Sequence, residues 1–281
     1  ILFYTLFCYK PLYGAIIAFK RYVPTKGIVA SPWVGLTHFE AFFGSYYFWR
    51  LLRNTLTISL SSLVIGFPAP IIFARLLNEL RSERFKKIVQ TVTYLPHFIS
   101  MVVMCGLIRL FTQDTGVVVQ ALSLFGFEPV SLLSRAEYFV PVYVLSGVWQ
   151  GIGWGSIIYL SALTGIDPEL YEAATIDGAN RWRQTLHVTL PGIAPTIIIM
   201  LLLRMGSVMN VGYEKIFLMQ NNLNLQASEV ISTYVYKQGL TSSIPQYSYS
   251  TAINLFVSIV NAILLVLVNQ ISNRLSGNGL W

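Results

Sequence analysis

Six long apolar runs leave this chain few folds to choose from. They cover roughly 1–19, 49–75, 87–112, 137–163, 193–212 and 246–272. A helix rises about 1.5 Å per residue, so crossing about 30 Å of hydrocarbon takes about 20 mostly apolar residues. Each run meets that length. The runs are too long and too continuous for the alternating pattern of a membrane barrel. Unpaired backbone is not tolerated in lipid, so each run is predicted to be a helix. Only 11% of the residues are charged, against about 25% in an ordinary soluble domain. The predicted fold is an all-α integral membrane protein of six transmembrane helices. It forms a single domain over 1–281, with a polar insert at 164–192. The first run is already under way at Ile1, so its helix and any preceding tail are expected to begin upstream. No signal peptide is read there.

Charge then orients the spans. Loop 76–86, "LLNELRSERFK", holds Arg81, Arg84 and Lys86, with Arg75 and Lys87 at its edges. Short loops dense in Lys and Arg stay in the cytoplasm. Alternation puts 164–192 and the tail after Ile271 on the same side. Loops 20–48, 113–136 and 213–245 fall outside, where Trp33, Tyr46, Tyr47 and Trp49 suit an interfacial aromatic belt. The net charge of +7 reflects loop placement, and no basic stretch interleaved with aromatics suggests nucleic acid. Cys8 and Cys105 lie far apart in apolar runs and are read as small buried hydrophobes, without redox or metal chemistry.

The insert "ELYEAATIDGANRWRQTLHVTLP" is ordered in a way a passive loop does not need. Asp167-Pro168-Glu169 is a helix start: Asp caps free amides, Pro suits the first turn, and Glu complements the positive helix end. A short helix is expected to run to about Ile176, with Gly178 as its stop. Asn180 is placed to cap a second short helix from Arg181 to about Leu190, and Pro191 to open the next span. The first helix has no Lys or Arg and leads with acids, which suits anionic lipid poorly. Its smooth side of Leu170, Tyr171, Ala173, Ala174 and Ile176 suits docking into a groove on another protein.

Glu172-Ala173-Ala174, then Gly178, then Val188-x-Leu190-Pro191 resembles the EAA motif of binding-protein-dependent ABC importer permeases, with Val188 where that family usually has Ile. The resemblance extends over nearly the whole chain. "YLPHFIS", "GWGSIIYLSALTGIDPELYEAA" and the terminal "LSGNGLW" are similar to the carbohydrate-uptake branch, particularly permeases for polysaccharides and oligosaccharides such as alginate-type ones. It implies a type I ABC importer permease fold in a bacterial inner membrane. It also implies a second permease subunit as a heterodimeric partner, two cytoplasmic ATPase subunits and an extracytoplasmic solute-binding protein. The insert would be the coupling helix, with Glu172 paired to a basic group on the ATPase, Ala173 and Ala174 allowing close approach, and Gly178, Leu190 and Pro191 shaping the turn and the return to the membrane. ATP and Mg would sit on the ATPase partners, with no cofactor in this chain. The residues agree: there is no GxxxxGK[ST] phosphate loop, no HExxH and no GxSxG. No catalytic or metal site is expected.

Ionisable residues inside spans are functional candidates by default. Arg109 and Arg204 lie toward the outer half and Lys10 between the centre and the outer half, against the positive-inside bias, either snorkelling to outer headgroups or pairing with a carbonyl, or forming a basic cavity for an anionic sugar such as a uronate oligomer. Neutral oligosaccharides are the alternative cargo. Trp149, Trp154, Tyr159, Asn210, Tyr213, Glu214 and Asn254 offer the flat faces and polar groups that sugars favour, although each also suits helix packing. Gly151, Gly153 and Gly155 make the fourth span narrow, and Pro68, Pro70 and Pro96 are positioned to kink theirs. An ion-coupled transporter would often carry midspan acids, and here the acids are nearly all in loops. A membrane enzyme would need clustered catalytic acids or a metal site, and none is evident.

Overall fold

The computed structural model describes residues 2–276 and Gly279. Most of the terminal "LSGNGLW" stretch therefore lies outside the described residues. Those residues form helices without a named strand; one antiparallel bridge pairs Lys20 with Trp33. The principal helices are α1 (Leu2–Phe19), α2 (Phe48–Asn78), α3 (Glu83–Tyr94), α4 (Met101–Thr112), α5 (Ala136–Thr164), α6 (Pro168–Ile176), α7 (Arg181–Met205), α8 (Tyr213–Met219), α9 (Ile231–Tyr236) and α10 (Tyr247–Ser276).

Five stretches are long and apolar enough to cross a membrane: Leu2–Phe19, Phe48–Asn78, Met101–Ser123, Arg181–Met205 and Tyr247–Arg274. The sixth expected span corresponds to α5, a helix of 29 residues. Its glycines, serines and aromatics dilute its hydropathy, so length alone identifies it.

Two expected spans need correction. The third, expected over 87–112, is broken where the chain leaves the helix between α3 and α4. Leu95–Phe98 forms a 3₁₀ turn with Pro96 at its start, Ile99 and Ser100 are extended, and Ser100 Oγ caps α4 by accepting from Val103 N at 3.4 Å. Pro96 has no amide to continue the ladder, and Ser100 offers a fresh start. The apolar span is thus Met101–Ser123, itself interrupted at Gln113. The fifth was read as 193–212, preceded by a separate short helix. It is one helical run from Arg181 to Met205, with a π-helical turn at Thr185–Thr189 just before Pro191. The wide turn absorbs the backbone partner that the proline cannot supply. In α2, Phe67 separates two helical stretches just ahead of Pro68 and Pro70.

Cys8 is a further correction. It is exposed on the N-terminal half of α1, whereas Cys105 is buried in α4. Residues 2–12 of α1 are exposed throughout; the turns from Tyr13 onward pack on α10, with Ala18 fully buried between them.

Polar contacts gather the loops at two ends. At one end, Glu79 beyond α2 accepts from both Arg75 and Arg181, and Arg75 Nε reaches Thr185 Oγ1 at 3.1 Å. This joins loop 76–86 to the insert. At the other end, Tyr22 N donates to Ser248 Oγ at 3.0 Å, and the side-chain amides of Asn221 and Asn224 donate to the Leu133 carbonyl at 2.8 and 2.9 Å. The three loops expected outside thus share one end.

Glu229 secures that end. It is buried and accepts from Arg50 of α2 and from Lys237 at 3.2 Å. Asn54 Nδ2 holds the Glu229 carbonyl at 2.9 Å. Removing one partner of a buried ion network leaves the others uncompensated. The two cations are each one-third exposed, which softens the penalty. Glu229→Ala is expected to cost about 2–3 kcal/mol, seen as a drop of roughly 5–10 °C in the thermal midpoint of the detergent-solubilised protein. An unchanged midpoint would mean the network is not structural.

Candidate functional site

A cleft of about 500 Å³ opens between α2, α5 and α7. Its walls are Ser62, Phe67 and Pro70 from α2, the Tyr143–Tyr159 face of α5, and Met200, Leu203 and Arg204 from α7. The α5 glycines divide their work. A Cβ at Gly151 would meet nothing within 4 Å, and this residue lines the cleft. A Cβ at Gly153 would collide with the Thr93 carbonyl oxygen and lie 2.8 Å from Tyr94 Cδ1. One at Gly155 would sit 3.1 Å from Pro70 Cγ. Gly153 and Gly155 thus let α3 and α2 approach closely, while Gly151 widens the cleft.

Lys215 of α8 was not among the residues singled out from sequence. It is only 5% exposed and reaches the cleft wall. Its Nζ donates to the Tyr143 carbonyl at 3.0 Å and lies 4.7 Å from the centre of the Tyr143 ring. Burial pulls the ammonium pKa down to about 8, an effect partly opposed by the neighbouring Cys105. A signal existed: Lys215 shares the buried face of α8 with Ile216 and Met219, so it stands where an apolar residue is expected.

The structure separates the three span cations that sequence grouped into one basic cavity. Arg204 lines the cleft. Arg109 is exposed on α4 and donates to the Leu218 carbonyl. Lys10 is exposed on the projecting part of α1. Among the aromatic and polar candidates, Tyr159 lines the cleft. Tyr213 and Asn254 line a separate cavity of about 310 Å³, beside Tyr236 and Tyr247. Trp149 packs near Phe111 beside an apolar cavity, and Trp154 stacks on His97 at 4.6 Å. Asn210 and Glu214 are exposed and line neither the cleft nor the Tyr213 cavity.

The insert is a compact device below the cleft. Asp167 Oδ1 accepts from Glu169 N at 3.0 Å and starts α6. Gly178 closes it with φ +74°, and Ala179 N returns to the Ala174 carbonyl at 2.9 Å. That 6→1 bond with a left-handed glycine satisfies orphan carbonyls at the helix end. Asn180 Oδ1 then accepts from Arg183 N at 2.9 Å and opens α7. Two side-chain contacts tie α6 to α7: Tyr171 Oη with Thr189 Oγ1 at 3.1 Å, and Gln184 Nε2 to Thr175 Oγ1 at 3.0 Å. Leu190 and Pro191 sit where the π-helical turn ends and the regular span begins. The outward face of α6 is bare: Glu172 and Ala173 are exposed, Leu170 is 54% and Ile176 87% exposed, and Ala174 is half-buried. Glu172 makes no ion pair among the described residues.

Residues 66–277 match the family described as the binding-protein-dependent transport system inner membrane component. Protein LplB of Bacillus subtilis (strain 168) is 44% identical over the whole chain and 88% of its own length. The polygalacturonan/rhamnogalacturonan transport system permease protein YteP of the same organism is 43% identical, over the whole chain and 87% of its own length. Among solved structures, a chain of a bacterial alginate ABC transporter, in complex with an alginate pentasaccharide-bound periplasmic protein, superposes with a TM-score of 0.90 at 40% identity. That match covers the whole chain and 93% of the solved one.

Proposed function

The chain belongs to the family of binding-protein-dependent transport system inner membrane components, and from that premise we propose how its parts move an oligo- or polysaccharide. It is the multi-pass permease subunit of an ATP-driven importer. A second permease subunit completes the pore, a solute-binding protein delivers the sugar from outside, and two ATPase subunits with ATP and Mg work from the cytoplasm. This chain contributes no catalytic group. Acidic polysaccharides fall within its range: polygalacturonan and rhamnogalacturonan stand in the name of one relative, and alginate in that of the structural neighbour.

The observation that carries this reading is the placement of α6. A doubly capped helix, with Glu172 in no ion pair among the described residues and with exposed Leu170 and Ile176, joins two helices that wall the cleft. A push on α6 enters α7 through Tyr171–Thr189 and Thr175–Gln184. It reaches α2 through Arg181, Glu79 and Arg75. Because α2 and α7 both face the cleft, one displacement repacks two of its walls. Nucleotide on the ATPases then favours one of two packed arrangements over the other, which suffices to alternate access.

The test is ATP hydrolysis by the reconstituted assembly, with the binding protein presenting a panel of neutral and uronate oligosaccharides. Stimulation by particular sugars is expected. Indifference to every loaded binding protein would reject the reading.

A further inference from the structure

We propose that Lys215 and Arg204 form a carboxylate subsite in the cleft, selecting anionic sugar units as they pass. The inference rests on the permease reading above and assigns that pathway a specific recognition element.

Lys215 is nine-tenths buried, yet among the described residues no carboxylate faces it. Of its three donors, the Tyr143 carbonyl takes one, and the Tyr143 ring supplies a further weak partner. Neighbouring Glu214 is exposed and absent from the cleft wall. A buried ammonium without a counter-ion is costly, and Lys215 shares its helical face with the buried Ile216 and Met219. Arg204, itself exposed, lines the same cleft and makes no ion pair among the described residues. None of the residues lining the cleft is acidic. Two uncompensated cations thus face one cavity of about 500 Å³, within the roughly 300–1,000 Å³ range of small-ligand sites.

The complementary ligand is a carboxylate on a polyhydroxylated ring. The Arg204 guanidinium suits bidentate capture and the Lys215 ammonium adds a point charge. Gln150 and Ser62 on the walls suit ring hydroxyls. Gly147 lies beside Lys215 on the cleft wall, where a Cβ would stand 3.4 Å from Nζ.

The test compares uptake of trigalacturonate with uptake of its methyl ester, which keeps the shape and loses the charge. Both are measured in proteoliposomes carrying the full assembly, with native chain, Lys215→Met, Arg204→Gln and Lys215→Arg. Methionine preserves the length of the buried side chain, and uptake of the ester reports folded assembly within each variant. Charge-assisted hydrogen bonds of this kind support roughly tenfold or greater discrimination. The acid-to-ester uptake ratio is expected to fall by about that factor in Lys215→Met and in Arg204→Gln, and to recover in Lys215→Arg. A ratio unchanged in both neutral variants would overturn the subsite while leaving the permease reading standing, as would equal loss of the two sugars. Transport of neither sugar by the native assembly, while a neutral oligosaccharide is taken up, would likewise overturn the subsite and leave the permease reading standing.

Discussion

Glu172→Ala combined with Gly178→Asp is expected to cut sugar-stimulated ATP hydrolysis about tenfold or more, while the chain still folds and inserts. Coupling free energies between sites run about 1–3 kcal/mol, or 5–150-fold, so losing the contact element removes most of the stimulation. The two changes attack different parts of α6. Glu172 is exposed without an ion pair among the described residues, so its removal takes away a docking charge and breaks nothing within the chain. Gly178 holds φ +74° with open space around it. A side chain there brings backbone strain of about 1–2 kcal/mol and an extra charge at the docking face. Neither site reaches the packed spans, so the thermal midpoint is expected to hold within a few degrees. Stimulation that survives in the double variant would remove α6 from the coupling path.

Gly153→Leu should have the opposite signature and prevent a folded chain from accumulating. The glycine lets α5 lie against α3, and even a methyl group would collide with the Thr93 carbonyl. A carbonyl in a packed helix cannot swing aside as a side-chain tip can. Overpacking costs about 1–3 kcal/mol where side chains can adjust, so a leucine against backbone is expected to exceed that. Gly151→Ala is the matched comparison, because its Cβ enters open cleft. Alanine favours helix over glycine by about 1 kcal/mol, so this variant is expected to be neutral or slightly stabilised. Monodisperse recovery from detergent and thermal midpoints report both. Equal behaviour of the two variants would refute the close packing of α3 on α5.

The membrane character of the chain was legible because it rests on local chemistry. An apolar run of sufficient length must become a helix in lipid, whatever packs beside it. The insert was legible for the same reason. Asp167 and Asn180 cap amides two and three residues away, and Gly178 answers for its own φ. What escaped depends on neighbours distant in sequence. Lys215 looked like a loop residue because its partner Tyr143 lies 72 positions away. Lys10, Arg109 and Arg204 looked alike because each sits in an apolar run. Only tertiary packing sends Arg109 to the Leu218 carbonyl, Lys10 to an exposed helix face and Arg204 to the cleft. The break between α3 and α4 was partly visible in Pro96, but the apolar residues on either side concealed the Ser100 restart. The apolar run around Cys8 suggests burial, yet residues 2–12 of α1 are exposed.

The central claim is that ATP hydrolysed on partner subunits drives sugar through a pathway this chain helps to line. The most direct measurement is oligosaccharide accumulation inside vesicles holding the assembled complex, with binding protein on the outer face and ATP supplied to the ATPase side. The account requires accumulation above the outside concentration that depends on both ATP and the binding protein, and that stops with a non-hydrolysable nucleotide. Accumulation driven by a proton or sodium gradient without ATP, or simple equilibration across the membrane, would contradict it.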